Sequence, residues 1–326
     1  MAGTRVELCG AGDGAVQRVT LPATPVYRLD AGLSPIATVA ANEPFVVCTQ
    51  DASSGNLINT DLAPTAANFE YLRHSPPFAN PVTGPVAITG VRARGRVEVK
   101  ILAIEPAAAG AFWSRPGNAP FADSREWSDL AQPIVQRVEH RDNRAVVNRR
   151  LSWELAPMIG TIGCAPEWEA LASLRGQGSW GGNLDVADVR NGATLYVNAF
   201  HDGGLLFIGD VHGCQGDGEF GGTGDETSAE VVLSVAPADG SLLDYPRVET
   251  PERLVALWVD RPLEEAVRGA IRHLMRWMVD ELGFRRKDAY LLISLHPQFR
   301  IHVYQMTAIH GLGFTAGASL PITELR

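Results

Sequence analysis

Short apolar runs, broken every few positions by Gly, Pro or Asp, dominate the chain. Pro44–Thr49, Pro85–Ile88 and Arg96–Ile104 predict strands. In the last of these Val97, Val99 and Ile101 fall on the inward face, with Glu98 and Lys100 outward. Residues 106–150 are Pro-, Ala- and Arg-rich without clear period, which reads as a long excursion with one strand near Ile134–Val138. A second β-rich block runs from about residue 151 to 238 and contains the buried run Leu205–Ile208. Glu167–Arg175 reads as helical. The strongest helix pattern follows: Asp260 as N-cap, Pro262 in the first turn, then Ala266, Val267, Ala270, Ile271, Leu274, Trp277, Met278 and Leu282 at three- and four-residue steps, closed by Gly283. Ala289–Ser294 reads as a strand leading to Arg300–Met306. The expected class is α+β, mainly β, with sandwich- or barrel-like lobes and a C-terminal helix packed on them. The lobes are expected at 1–150 and 151–326.

With 326 residues there is ample core, and 33 Gly with 21 Pro agree with a turn-rich β fold. A net charge of −9 argues against a nucleic-acid partner, which would call for a basic face. No apolar run is long enough to span a bilayer, and Glu7 interrupts the stretch an export signal would need, so a cytoplasmic protein is expected. Cys9, Cys48, Cys164 and Cys214 are scattered and form no CxxC pair, as suits a reducing compartment. The two lysines, Lys100 and Lys287, both read as surface charges, which removes mechanisms that need a buried lysine.

Gly209-Asp210-Val211-His212-Gly213-Cys214-Gln215-Gly216-Asp217-Gly218-Glu219 changes the picture most. Three carboxylates, an imidazole and a carboxamide share eleven residues with four glycines, more chemistry than a solvated turn requires. If the strand before it continues, Asp210 and His212 share a face, and Asp217 and Glu219 share one after the turn. Such a set suits a divalent metal, zinc or calcium, with a general base beside it. Gly176–Gly181 matches GxGxxG literally but lacks the strand–turn–helix context of a dinucleotide site. His212, Cys214 and Gln215 break an EF-hand reading, and no HExxH, P-loop or GxSxG occurs. Cys214 is surrounded in sequence by carboxylates, which disfavour its thiolate.

Several segments together resemble the acetamidase/formamidase family. They are Asp51–Asn56 as an early Asp-containing turn, Asn80-Pro81-Val82-Thr83-Gly84-Pro85, Ile159–Pro166 as IGxIGxAP, Gly181–Asp185 as GGNxD, Gly209–Glu219 as GDxHxxQGDGE, and Glu226 on a returning strand. Asp225 stands where that family carries an apolar residue, and His296-Pro297-Gln298 replaces a common glycine-aspartate pair. The resemblance implies a metal-assisted amidohydrolase that cleaves the C–N bond of a small formamide- or acetamide-like amide and is assembled as a homo-oligomer, a dimer or a multiple of it. Lactam or other formyl-amide hydrolysis is the alternative within the family; a non-catalytic calcium-binding β module is the alternative from another class.

Within this reading Asp210 and His212 are expected as metal ligands, completed by Asp51, Asn183 or Asp185. Glu219 is the expected general base, Glu226 its neighbour or a further ligand, and Asp217 either a catalytic partner or a turn residue. Asn80 and Gln215 are candidates to hold the substrate amide.

Overall fold

The computed structural model describes residues 16–58, 78–114, 134–307, 309 and 311–325. Cys9, Glu7 and part of the Arg-rich excursion lie outside them. Two large sheets face each other. The first has nine strands in the order 17–19, 44–49, 229–238, 95–106, 194–199, 247–249, 253–260, 314–321 and 300–305. Along the second run 152–154, 144–146, 134–141, 109–114, 226–227, 206–212, 158–164, 181–183 and 177–178, with 82–88 also paired to 206–212 and 37–39 to 82–88. Pairing is antiparallel apart from 17–19 with 44–49 and 37–39 with 82–88.

Period-two alternation builds the layers. On Arg253–Asp260, Val255 and Leu257 enter the core between the sheets. Leu254 and Ala256 face the other way and meet Ala270, Leu274, Trp277 and Met278 of the helix α1 (Leu263–Asp280). That strand is therefore apolar at nearly every position, because both of its faces are covered. The same holds at Leu206–His212, where Leu206 and Ile208 join the inter-sheet core while Phe207 packs in a separate cluster with Leu29 and Val82. The mainly β, sandwich-like class with a C-terminal helix is borne out; neither sheet closes into a barrel.

Strands from both sides of residue 150 contribute to each sheet. Several expectations are corrected. Asp260 ends a strand, and α1 starts after Pro262 with no side-chain cap. Gly283, with φ of 77°, does turn the chain out of α1. Ala289–Ser294 is not a strand but part of a second helix, α2 (Arg286–Leu295). Ala289 and Ile293, four apart, are its buried pair, and a run this short has no period that separates helix from strand. Glu167–Arg175 is not helical: after a bend, Leu171–Ala172 pairs with Arg28–Leu29. The glycine-rich stretch after it is a tight hairpin, Gln177–Gly178 against Gly181–Gly182, which again excludes a dinucleotide loop.

Candidate metal centre and pocket

The strand Leu206–His212 is the hub of the site. It pairs with Met158–Cys164 on one side, and with Val82–Ile88 and then Glu226–Thr227 on the other. Its last turn of register therefore collects side chains from four segments. His212 lies directly across from Glu226. Asp210 faces Gly160, and a methyl group at Gly160 would stand 2.6 Å from Asp185 Oδ1 and 2.8 Å from Asp210 Oδ2. Glycine is needed there because the two carboxylates occupy that space.

Asp185, Asp210, His212, Glu219 and Glu226 converge, all buried. They form two overlapping triads, Asp185–His212–Glu219 and Asp210–His212–Glu226, each with its ligand atoms within 4.8 Å of one another. His212 Nε2 lies 3.2 Å from Glu226 Oε2 and 3.6 Å from Asp210 Oδ1. The first lacks the direction of a hydrogen bond and the second its length, and His212 Nε2, Glu226 Oε2 and Asp185 Oδ1 are buried without a partner. Beneath them the network is complete: Asn80 Nδ2 donates to Asp210 Oδ2 at 2.7 Å and to Asn183 Oδ1 at 3.2 Å. Thr161 Oγ1 stands 2.6 Å from Asn183 Oδ1 and 3.1 Å from Asp210 Oδ2. Asn183 in turn donates to the Leu174 carbonyl.

The backbone is strained at the same place. Asn80, Asp185, Asp210 and Glu219 all hold left-handed φ, at 52°, 51°, 56° and 41°. Asn and Asp tolerate that region; Glu does so at a cost of order 1–3 kcal/mol. All four line one pocket, together with Trp113, Leu174, Thr307, Ile309 and Leu312, so polar groups form one part of its wall and apolar groups another. Strain at four lining residues is the pattern of a preorganised site.

The electrostatics are those of crowded buried acids. Burial, and then the charge of Asp210, push Asp185 up to about 7. Burial lifts Glu226 to about 8, Asp210 adding to the rise and His212 opposing it. Burial and the neighbouring Asp185 hold Glu219 well above the usual carboxylate range. For His212, burial opposes the charged ring, but Glu226 and Asp210 outweigh it and its affinity for a proton rises well above normal. Nε2 is thus an atom that a proton or a cation must fill.

The remaining sequence candidates lie elsewhere. Asp51 is buried in its turn, where Oδ1 accepts from the Ser53 amide and hydroxyl and Oδ2 from the Gly55 amide. Asp217 is exposed: the strand stops at His212, the loop turns, and Asp217 and Glu219 do not share a face. The Gln215 amide is committed to protein partners and does not line the pocket. Sequence reading missed Thr161, which sits inside the IGxIGxAP segment, and the apolar wall, whose members are far apart in the chain and carry no local signal. It also missed His140, whose Nε2 is 2.9 Å from Asp225 Oδ2 and whose Nδ1 is 2.6 Å from the Ala107 carbonyl. Burial opposes a charge on that ring, but Asp225 raises its proton affinity, so the unusual acid at 225 is answered by a buried histidine.

Residues 175–250 match the model of the Acetamidase/Formamidase family. The fold is similar to a Yersinia enterocolitica acetamidase, with TM-score 0.84 and 28% identity over 97% of this chain and 94% of that one. It is similar also to an acetamidase from Bacillus halodurans, with TM-score 0.83 and 26% identity over 94% and 98%. A predicted acetamidase/formamidase from Thermoanaerobacter tengcongensis aligns with TM-score 0.81 and 26% identity over 95% and 97%. No curated protein sequence matches the chain. The resemblance to the acetamidase/formamidase family is thereby borne out. No described helix is long and apolar enough to cross a membrane.

Proposed function

We propose that the protein hydrolyses the C–N bond of a small linear amide of the formamide or acetamide kind and releases ammonia. One observation carries the reading: four buried carboxylates, packed with one histidine and leaving three atoms of the cluster unpartnered, line a small pocket in a fold shared with acetamidases. The donor set fits a divalent cation held by Asp210, His212 and Glu226, with Asp185 next to it. An imidazole nitrogen among carboxylates suits zinc better than calcium, which prefers an all-oxygen shell, and so weighs against a structural calcium module. When bound, such a cation would polarise the amide carbonyl and acidify a water.

Glu219 supplies the proton traffic in this account. Its carboxylate takes a proton from the attacking water as the new C–O bond forms. It then gives that proton to the amide nitrogen as the C–N bond breaks, so ammonia and the acid leave and the carboxylate is restored. Its raised proton affinity suits both halves of the cycle. Asn80 and Thr161 hold Asp210 in place, themselves held by Asn183, and Trp113, Leu174, Ile309 and Leu312 leave room for a small acyl group only. The same reading carries a cytoplasmic homo-oligomer. Exposed Tyr290, Leu291 and Leu295 on α2 offer an apolar surface for it, and light scattering measures the mass. Ammonia release from formamide, acetamide, longer amides and a lactam, with and without chelator, tests the function. Chelator-sensitive turnover confined to the short amides is expected; none on any of these substrates contradicts it.

A further inference from the structure

We infer that Gln215 is a positioning residue that fixes which nitrogen of His212 faces the cation site. Its amide has three partners: Nε2 donates to the Asp185 carbonyl at 2.6 Å and to the Tyr304 carbonyl at 3.0 Å, and Oε1 lies 2.9 Å from His212 Nδ1. Backbone carbonyls only accept, so both amide hydrogens are used and the amide cannot be turned over without setting oxygen against oxygen. Oε1 therefore faces Nδ1, and Nδ1 is the nitrogen that carries hydrogen. In the neutral ring the lone pair is then on Nε2, which points among Asp210, Glu226, Asp185 and Glu219 and has no hydrogen-bond partner there. Gly224 makes room for the ring, since a methyl group at that position would stand 2.5 Å from Nδ1.

Gln215 is not required merely to hold its loop. Gly218 in the same loop donates its amide to the Val303 carbonyl at 2.6 Å and accepts from the Met306 amide at 2.8 Å, which ties the loop to the strand Arg300–Gln305 independently. What Gln215 adds is a link between the imidazole and the backbone of Asp185, a residue of the same cluster. One carboxamide thereby sets ring tautomer, ring rotation and the approach of a neighbouring acid together.

The inference rests on the cation reading above, and two variants separate it from scaffolding. Q215E keeps an acceptor for Nδ1 and, as the neutral acid that burial among carboxylates favours, one of the two donated bonds. Q215M loses acceptor and donors alike. Zinc affinity is measured by competition with a chromophoric chelator, geometry by the visible spectrum of the cobalt(II)-loaded protein, and folding by thermal melting of the cation-free protein. Q215M is expected to bind zinc 10- to 100-fold more weakly, with an altered cobalt spectrum. Q215E is expected to stay within about threefold of wild type, the response expected if the acceptor is what positions the ring. Zinc binding by Q215M equal to wild type overturns the inference, as does an equal loss in both variants that follows their melting. Absence of zinc and cobalt binding in the wild-type protein instead overturns the cation reading, and this inference with it.

Discussion

Beneath α1, Arg96 and Arg247 share the carboxylate of Glu281 at 3.0 and 2.7 Å, and His273 completes the group by accepting from Arg247 while donating to the Leu257 carbonyl. In the acid cluster, four carboxylates crowd one imidazole and three of their buried atoms have no partner. Both regions bury charge between strands and an overlying segment. The first is balanced by the chain itself and fastens a helix to a sheet. The second is balanced only if something outside the sequence enters it. Buried charge left uncompensated is costly, so its presence beside strained backbone marks the region where function, not stability, governs the residues.

The comparison breaks most visibly if the pocket acids do no chemistry. E219Q keeps the shape of the side chain and removes the base, so turnover should fall about 100-fold or more while the protein stays folded. A stopped ammonia-release assay beside a circular dichroism spectrum checks this. Near-normal turnover would move the role to Glu226 or Asp185.

Stability should respond in opposite directions in the two regions. E281A leaves Arg96 and Arg247 without their acid and should cost about 1–3 kcal/mol, reduced from a fully buried pair because Glu281 is partly exposed. D185N in cation-stripped protein removes a crowded charge and should leave stability unchanged or higher. Urea unfolding of both variants decides it; a loss on both sides would mean that the pocket acids are already balanced.

The pH response follows the same division. His273 is held near 4 by burial and by Arg247, against about 6.5 unfolded, so its neutral ring stabilises the fold above pH 6.5. That contribution, at most about 3 kcal/mol, is lost as pH falls from 6.5 toward 4. Asp185 and Glu226, raised to about 7 and about 8, act in the other sense: without a cation the fold loses stability from about pH 4, where the unfolded carboxylates ionise, until pH passes 7 to 8. In the cation-free protein the two acids outweigh the one histidine, so unfolding measured across pH 4–9 should show stability falling between about pH 4.5 and 8; saturating zinc should remove that fall and expose the rise due to His273.

The smallest effect expected is that of C214A. The Cys214 thiol is pushed up by burial and lies 3.6 Å from the Glu154 carbonyl, away from the cation triads. Turnover should stay within about threefold of wild type; loss of turnover with full metal content would point to a thiol nucleophile instead.

The strands were readable wherever one face alone was covered, as at Val97, Val99 and Ile101, because alternation survives in the sequence. It failed where the run is short: α2 read as a strand, and residues 167–175 read as a helix although they only supply a two-residue strand. Density of chemistry in Gly209–Glu219 pointed to Asp210, His212 and Glu219, and the family resemblance to Asp185 and Glu226. What stayed hidden depends on backbone and on distance. Nothing local announces left-handed φ at Asp185 and Asp210, the turn that sends Asp217 outward, or the partnership of His140 with Asp225 across 85 positions.

Calorimetric titration of zinc into chelator-treated protein at neutral pH, with H212A alongside, tests the central claim most directly. The two triads share one imidazole nitrogen, so the account predicts one tight cation per chain in the wild-type protein, accompanied by a raised melting temperature, and loss of both in H212A. Absence of binding by the wild-type chain, or binding unaffected by H212A, would contradict a cation site built around His212.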